Sequence, residues 1–282
     1  MQTVPLASFA NADQSGFLKE MHSVRSHAPV GERKVIRIIQ SSAAVSHSFT
    51  ILPVLFANGT LAEKLFIIMQ EPGGKFPRRG HFITPNGNLV VCAGMTHIMT
   101  KNQMLDWFSS CVLVPSTPSK IVLLVDSWPA FKDHAAIAAL VPPGKELEVH
   151  NIPAGATSFI QPLDVYFSSP FKAVVKRINS HVLAHDIPFI VHQRDNILKV
   201  ISLVYWTFCA PRFRPFLQYP WKAAGYTDTH PGPFLTPLQV CFPQDLSGVC
   251  EESRCKHIAF IKCAHCDKAF CFSHFVMSFH QC

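Results

Sequence analysis

Three aspartates occupy settings in which a carboxylate needs a chemical reason. Asp13 lies in Asn11-Ala12-Asp13-Gln14-Ser15-Gly16-Phe17. Asp126 closes the apolar run Ile121-Val122-Leu123-Leu124-Val125, and Asp164 lies in Ile160-Gln161-Pro162-Leu163-Asp164-Val165-Tyr166. An acid at the end of a buried strand is costly unless something compensates it, such as a cation. Three such acids can hold two divalent metals, Mg²⁺ or Mn²⁺, about 3.5–4 Å apart, the arrangement of polymerases and nucleases.

A second constellation is soft rather than hard. Six of the ten cysteines fall after Val249, and with histidines they form the short pairs Cys250/Cys255, Cys263/Cys266, Cys271/His274 and His280/Cys282. Eight such ligands in 33 residues suit two tetrahedral Zn²⁺ sites. One zinc with spare thiols, or a reactive unstructured tail, are the alternatives. Alternate pairs sharing a metal would give a cross-brace, but spacing does not fix the pairing, and His257 and His265 are substitute ligands. A tail this short has too little core to fold alone, so metal binding would supply its folding free energy.

The elements that must position these residues are legible in part. Pro5 to Asp13 reads as a first strand. Ser48 to Phe56 and Leu61 to Gln70 flank Asn58-Gly59, a hairpin signal, with Pro53 at an edge or a bulge. Leu89 to Cys92 is a short strand. Thr100 and Gln103 have capping-box spacing before a helix that puts Met104, Trp107, Phe108, Cys111 and Val112 on one face. Lys120 to Val125 and Leu147 to Ile152 are strands. Phe159 to Tyr166 leads to a helix starting at Ser169-Pro170, with Phe171, Val175, Ile178 and Val182 on its core face. Ile197 to Ala210 reads as a buried helix. This order implies an α/β protein with a mixed sheet.

These motifs carry a resemblance. Asn-Ala-Asp-Gln-Ser-Gly, Leu-Leu-Val-Asp-Ser-Trp and Ile-Gln-Pro-Leu-Asp-Val, with Leu65 to Lys75 and His192 to Ile197, resemble the catalytic domain of DDE-type transposases of the pogo/Tigger branch of the mariner superfamily. The motif order and the 38-residue step from Asp126 to Asp164 carry the match over Asn11 to about Tyr226. The resemblance implies a ribonuclease-H-like fold in which Asp13, Asp126 and Asp164 bind catalytic Mg²⁺ or Mn²⁺. It also implies DNA endonuclease and strand-transfer chemistry. Cys263 to His280 looks more loosely like the cysteine-rich module of piggyBac-type transposases. Two departures stand out. The family often has Gly-His a few residues after the second acid, where Ala130-Phe131 stand here. Only twelve residues precede Asp13, too few for the helix-turn-helix DNA-binding module that the resemblance implies, which is the expectation for a truncated gene model, a decayed copy or a domesticated domain. The second reading is therefore a catalytically inactive, domesticated or decayed derivative that binds DNA or protein.

Composition sets the remaining expectations. The 282 residues are 48% hydrophobic, ample for a core, with a formal charge of +7. Val165 to Gly225 holds eight basic residues against two acids. Beside a metal site this segment reads as a DNA phosphate track, with Lys172, Lys176, Arg177, Arg212 and Arg214 as the contacts. The expected organisation is a catalytic domain with a basic helical extension over 1–226, a Pro-rich linker over 227–248, and a zinc module over 249–282. No signal peptide or apolar run long enough to span a membrane is evident. A nuclear location and a homodimer are expectations. Cys92, Cys111 and Cys209 read as core, Cys241 as spare or a ligand, and Asp133-His134 as a surface helix start.

Overall fold

The computed structural model describes residues 5–21, 39–41 and 48–282. Eight strands build the main sheet system: β1 (Phe9–Ala12), β2 (Ser15–Leu18), β3 (Ser48–Leu52), β4 (Val54–Phe56), β5 (Leu65–Gln70), β6 (Leu89–Gly94), β7 (Lys120–Val125) and β8 (Glu146–Asn151). They form two four-stranded sheets, β4-β1-β7-β8 and β2-β3-β5-β6. The two are halves of one surface. Ala12 pairs with Val54, and Ser15 pairs with Ile51, so the antiparallel register is unchanged across the gap between them. That register sets Asp13 opposite Pro53. A proline has no N–H to donate, so the ladder pauses there and resumes without a slip.

Pro53 is thus neither an edge residue nor a bulge, as the sequence suggested. Its strand runs between β1/β2 and β5, and side-chain alternation continues in phase through it. Phe49, Ile51 and Leu55 pack on one face, while Leu52, Val54 and Phe56 pack on the other. The same two-residue period splits β5, with Leu65, Ile67 and Met69 on the first face and Phe66 and Ile68 on the second.

Each face is covered by helices, giving the three-layer, ribonuclease-H-like α/β arrangement. The second face receives α1 (Lys101–Trp107) and the wide turn that extends it over Phe108–Val112. Thr100 and Gln103 cap α1 reciprocally, as their spacing required. α2 (His134–Ala138) adds Ile137. The first face receives α5 (Ser168–Ala184) and α6 (Arg194–Phe208), which bury Phe171, Val175, Ile178, Val182, Leu198, Ile201 and Tyr205. α7 (Arg214–Ala223) contributes Phe216, Leu217 and Trp221. The hairpin at Asn58-Gly59 has a glycine-specific cause. Gly59 has φ +81°, and a Cβ there would meet the Arg214 carbonyl at 2.5 Å.

Three expectations are corrected. The helical stretch carrying Asp164 does not wait for Ser169-Pro170. After α3 (Thr157–Ile160), Gln161 is extended and Pro162 opens α4 (Pro162–Tyr166), which runs almost directly into α5. Proline fits the first helical position because its missing N–H would be unpaired there anyway. The first strand is only Phe9–Ala12, since Pro5 precedes a short turn over Leu6–Ser8. Finally, the Pro-rich stretch does not hold the tail away from the core. It contains α8 (Pro237–Cys241), whose Cys241 is fully buried, and the tail strands β9 (Ile261–Lys262) and β10 (Ala269–Phe270) join the same core as α5 and α6. Phe272 packs edge-on to Phe189, Phe260 stacks on His181 at 3.8 Å, and His265 stacks on Trp206 at 3.9 Å. The aromatic residues between the cysteines are what dock the tail.

Candidate metal centres

The first site is assembled by strand register. β1 and β7 are parallel with Asn11 level with Leu124. Two residues further on, the same register carries Asp13 alongside Asp126. Alternation then directs both acids to the face covered by α4 and α5, because their neighbours Ala12 and Val125 pack on the opposite face.

Asn11 ties the three elements together. It is fully buried; its Nδ2 donates to the Leu124 carbonyl at 3.0 Å, and its Oδ1 accepts the Leu163 N–H at 3.0 Å. Each partner lies one or two residues from an acid, so a single amide sets β1, β7 and the start of α4 against one another. Asp126 is held separately. Its Oδ1 accepts the Trp128 N–H at 3.0 Å, and Asn151 Nδ2 donates to its carbonyl at 3.0 Å.

The electrostatics follow from this crowding. Burial, then the charge of Asp164 and a hydrogen bond to it, push the Asp13 carboxyl up to about 8, with the Asp126 charge acting in the same direction. Burial also raises Asp126, partly offset by the Trp128 N–H, and Asp164 raises it further. Asp164 itself is exposed, so the site opens to solvent on the α4 side. Three carboxylates crowd one place, and a divalent cation would relieve that crowding; hard carboxylate oxygens suit Mg²⁺ or Mn²⁺. Among the described residues, only the two Cys/His sets bring all their ligand atoms within 4.8 Å of one another, so the acid site is the wider one.

The tail supplies those two sets. One is Cys250, Cys255, Cys271 and His274; the other is Cys263, Cys266, His280 and Cys282. The first and third ligand pairs share one site, and the second and fourth share the other, which is the crossed arrangement that spacing left open. Cys255 and Cys271 Sγ are 4.0 Å apart, Cys263 and Cys282 Sγ 3.8 Å, and Cys271 Sγ to His274 Nδ1 3.3 Å. A tetrahedron with Zn–S bonds of ~2.3 Å has S···S edges of about 3.8 Å, so both sets fit zinc. Burial would raise the Cys250 thiol, but the backbone of Cys271 and Glu252 and the His274 ring outweigh it and bring it down to about 7. His257 and His265 lie outside the sets; His265 Nε2 instead meets the Trp206 carbonyl at 2.9 Å. Cys241 also lies outside them.

Residues 92–210 match the DDE superfamily endonuclease family, and residues 221–282 match the Tc5 transposase C-terminal domain. Over these two stretches the chain is similar to DDE endonucleases and to the C-terminal domain of Tc5 transposases. Its endonuclease match spans Asp126 and Asp164, and its Tc5 match spans all eight soft ligands. The tail's likeness to the piggyBac module is thus one of cysteine spacing. No curated protein matches the chain. Among solved structures, it is similar to the Mos1 strand transfer complex at 12% identity and a TM-score of 0.45, over 78% of this chain and 52% of that one. It is similar to the Mos1 mariner paired end complex with Mn at 10% identity and a TM-score of 0.40, over 83% of this chain and 58% of that one. The chain spans little more than half the length of those transposase chains.

The five basic residues expected to contact DNA stand in different local settings. Lys172 is half-buried, 5.1 Å from the Phe17 ring centroid, and feels the charges of Asp13 and Asp164; Lys176 is its neighbour. Arg177 turns to the Phe242 ring at 5.7 Å. Arg212 pairs with Asp267 at 2.7 Å, and Arg214 is exposed at the start of α7. Phe131, standing in the Gly-His region, packs against Trp107, Phe108 and Trp128 on the far face of the sheet. Asp133 is a helix cap, accepting the Ala136 N–H and pairing with Lys101. Cys111 is buried and Cys92 half-buried, but Cys209 ends α6 as an exposed residue. Sequence reading missed Asn11 and Gln161, although both lie within the quoted motifs; an amide two residues before Asp13 and three before Asp164 was the available signal. It also missed the Glu71–Arg194 ion pair at 3.1 Å, which joins two of the resemblance segments.

Proposed function

We propose that this chain is a DNA endonuclease and strand transferase in which Asp13, Asp126 and Asp164 hold two Mg²⁺ or Mn²⁺ ions. The observation that carries the reading is the convergence of the three acids: strand register sets Asp13 alongside Asp126, and the first turn of α4 brings Asp164 next to Asp13. Asp13 and Asp126 would flank the two ions, and Asp164 would complete the second position. The ions, when bound, supply activation of an attacking water or 3′-hydroxyl and stabilisation of the leaving oxygen in displacement at a phosphodiester. Asn11 holds the acids' elements in register, and exposed Asp164 leaves the substrate side open. Lys172 and Lys176 would take DNA phosphates next to that opening, through contacts that are electrostatic and carry no sequence information.

The tail would hold two Zn²⁺ ions as a folding element. All-protein four-ligand sites leave no position for chemistry, so its task is docking. DNA is the proposed partner, the nucleus the proposed location, and a homodimer the proposed assembly. Among the described residues, no helix is long and apolar enough to cross a membrane.

The test is cleavage of duplex DNA by the purified chain with Mg²⁺ or Mn²⁺, compared with Asp13→Asn, Asp126→Asn and Asp164→Asn. Metal-dependent cutting lost in each variant is expected. A folded wild type that binds DNA without cutting it would favour the second reading, a transposase-derived binding protein without chemistry.

A further inference from the structure

Gln161 carries an unexplained cost. It is fully buried, and neither its Oε1 nor its Nε2 has a hydrogen-bond partner. The other unpartnered buried polar atoms among the described residues are single ring nitrogens of Trp107, Trp221 and His192. Gln161 alone leaves both ends of a polar group unpaired. Each such end carries an uncompensated desolvation penalty, and an apolar side chain of the same shape would avoid it.

The backbone leaves this residue no freedom to turn away. Its N–H donates to the Thr157 carbonyl at 2.9 Å, and its carbonyl accepts the N–H groups of Asp164 at 3.1 Å and Val165 at 3.0 Å. Gln161 is thus clamped between α3 and α4, three residues before Asp164 and two before the Leu163 N–H that Asn11 grips. Its amide lies beside the Asp13 carboxyl and favours that group's ionised form, though short of full hydrogen-bond geometry.

We infer that Gln161 is a positioning residue for the hydrated cation at the Asp13–Asp164 side of the site. Its Nε2 would steady the ionised Asp13 carboxylate, and its Oε1 would accept from a hydration water of the ion. This inference rests on the two-metal reading above. It explains why a buried amide with no protein partner stands where Met or Leu would pack at lower cost. Outer partners of this kind orient the carboxylates that ligate the metal, and their loss weakens binding by about 10–100-fold.

The test uses the full chain with its tail loaded with zinc, Mn²⁺ as the probe, and the free-ion electron paramagnetic resonance signal as the measure of binding. Gln161→Met is expected to bind Mn²⁺ at least about tenfold more weakly than wild type. In Mn²⁺-free, chelator-free buffer its urea midpoint should equal or exceed the wild-type value, because two unpaired polar ends are gone. Gln161→Glu, which keeps an oxygen acceptor, should recover most of the lost affinity. Gln161→Leu repeats the experiment if the methionine variant does not fold. Wild-type affinity in a folded Gln161→Met variant, or a large drop in its metal-free stability, overturns the inference and leaves the two-metal reading standing. Failure of the wild type to bind Mn²⁺ takes down both.

Discussion

Asn11 Oδ1 accepts the backbone N–H of Leu163 across 152 positions of sequence, at 3.0 Å and out of contact with water. The bond joins the strand that ends at Asp13 to the helix turn that carries Asp164. The other end of the same amide grips Leu124, two residues before Asp126. Asn11→Ala leaves two buried backbone groups unpaired, at roughly 1–3 kcal/mol each. A loss on the order of 2–5 kcal/mol is therefore expected in urea unfolding, together with weaker Mn²⁺ binding. Asn11→Asp keeps the acceptor for Leu163 but faces the Leu124 carbonyl without a donor, so it should recover only part of the loss. Unchanged stability in Asn11→Ala would show that the strut bears no load.

The Asp13 carboxyl sets a pH dependence with a definite sign. Its ordinary value is 3.8, and burial beside Asp164 raises it to about 8 in the folded protein. The folded, metal-free chain therefore holds a proton that the unfolded chain has released. This contribution to stability is fully present below pH 3.8 and is lost as pH rises through about 8. Asp126 is raised as well and acts in the same direction. Urea midpoints in metal-free buffer should fall between pH 6 and 9, roughly the upper part of that window, and Asp13→Asn should flatten the fall. Cation binding must displace the same proton, so Mn²⁺ affinity should climb over the same range. A midpoint that rises with pH in wild type but not in the variant would reverse this account of the site.

How much of this was legible in the sequence depended on the range of the interaction. β7 and its terminal acid were readable because a run from Ile121 to Val125 leaves little else for the chain to do. The α1 capping box was readable because Thr100 and Gln103 answer each other within one turn. The eight soft ligands were readable as ligands from their short spacing. Their crossed pairing was not, because it depends on β9 and β10 folding back on each other. The role of Pro53 required knowing that Asp13 lies opposite it. Docking of the tail was hidden for a similar reason: Phe260, Phe272 and His265 look like filler between cysteines until α5 and α6 are in place. Gln161 and Asn11 were quoted as motif letters, and their burial, which makes them informative, is a tertiary fact.

Crossed ligand pairs and a docked tail change what metal removal should do. The second and third ligand pairs each sit between the two pairs that form the other site, so Cys255→Ser and Cys266→Ser should each lower zinc content below the two ions per chain expected of wild type. The tail also buries Phe260, Ile261, Phe270, Phe272 and Phe275 in the core of α5 and α6, and Lys199 Nζ donates to the Met277 carbonyl at 3.1 Å. Loss of zinc should therefore lower the unfolding midpoint of the whole chain in one transition. Metal analysis with chemical unfolding checks both points. A tail that melts separately while the core keeps its midpoint would mean that the aromatic contacts contribute little.

The basic residues should divide in their effect on DNA. Lys172 lies within the field of Asp13 and Asp164, and Lys176 is its neighbour on the same helix. In the proposed reading, a phosphate brought to the acid site would meet these two ammonium groups. Arg212 already has a carboxylate partner in Asp267, shared with Lys262 at 2.9 Å, so its guanidinium is engaged in an ion pair away from the acid site. In salt titrations of duplex DNA binding, Lys172→Ala and Lys176→Ala should each weaken binding regardless of sequence and reduce the slope of log affinity against log salt by about 1. Arg212→Ala should leave the slope nearly unchanged. Lys172 is half-buried over Phe17, so Lys172→Met serves as the control that keeps the apolar stem while removing the charge. It should behave like Lys172→Ala in the salt slope but match wild type in stability. Equal slope changes for Arg212 and Lys172 would place the DNA across the α7 side of the molecule and would separate binding from the acid site.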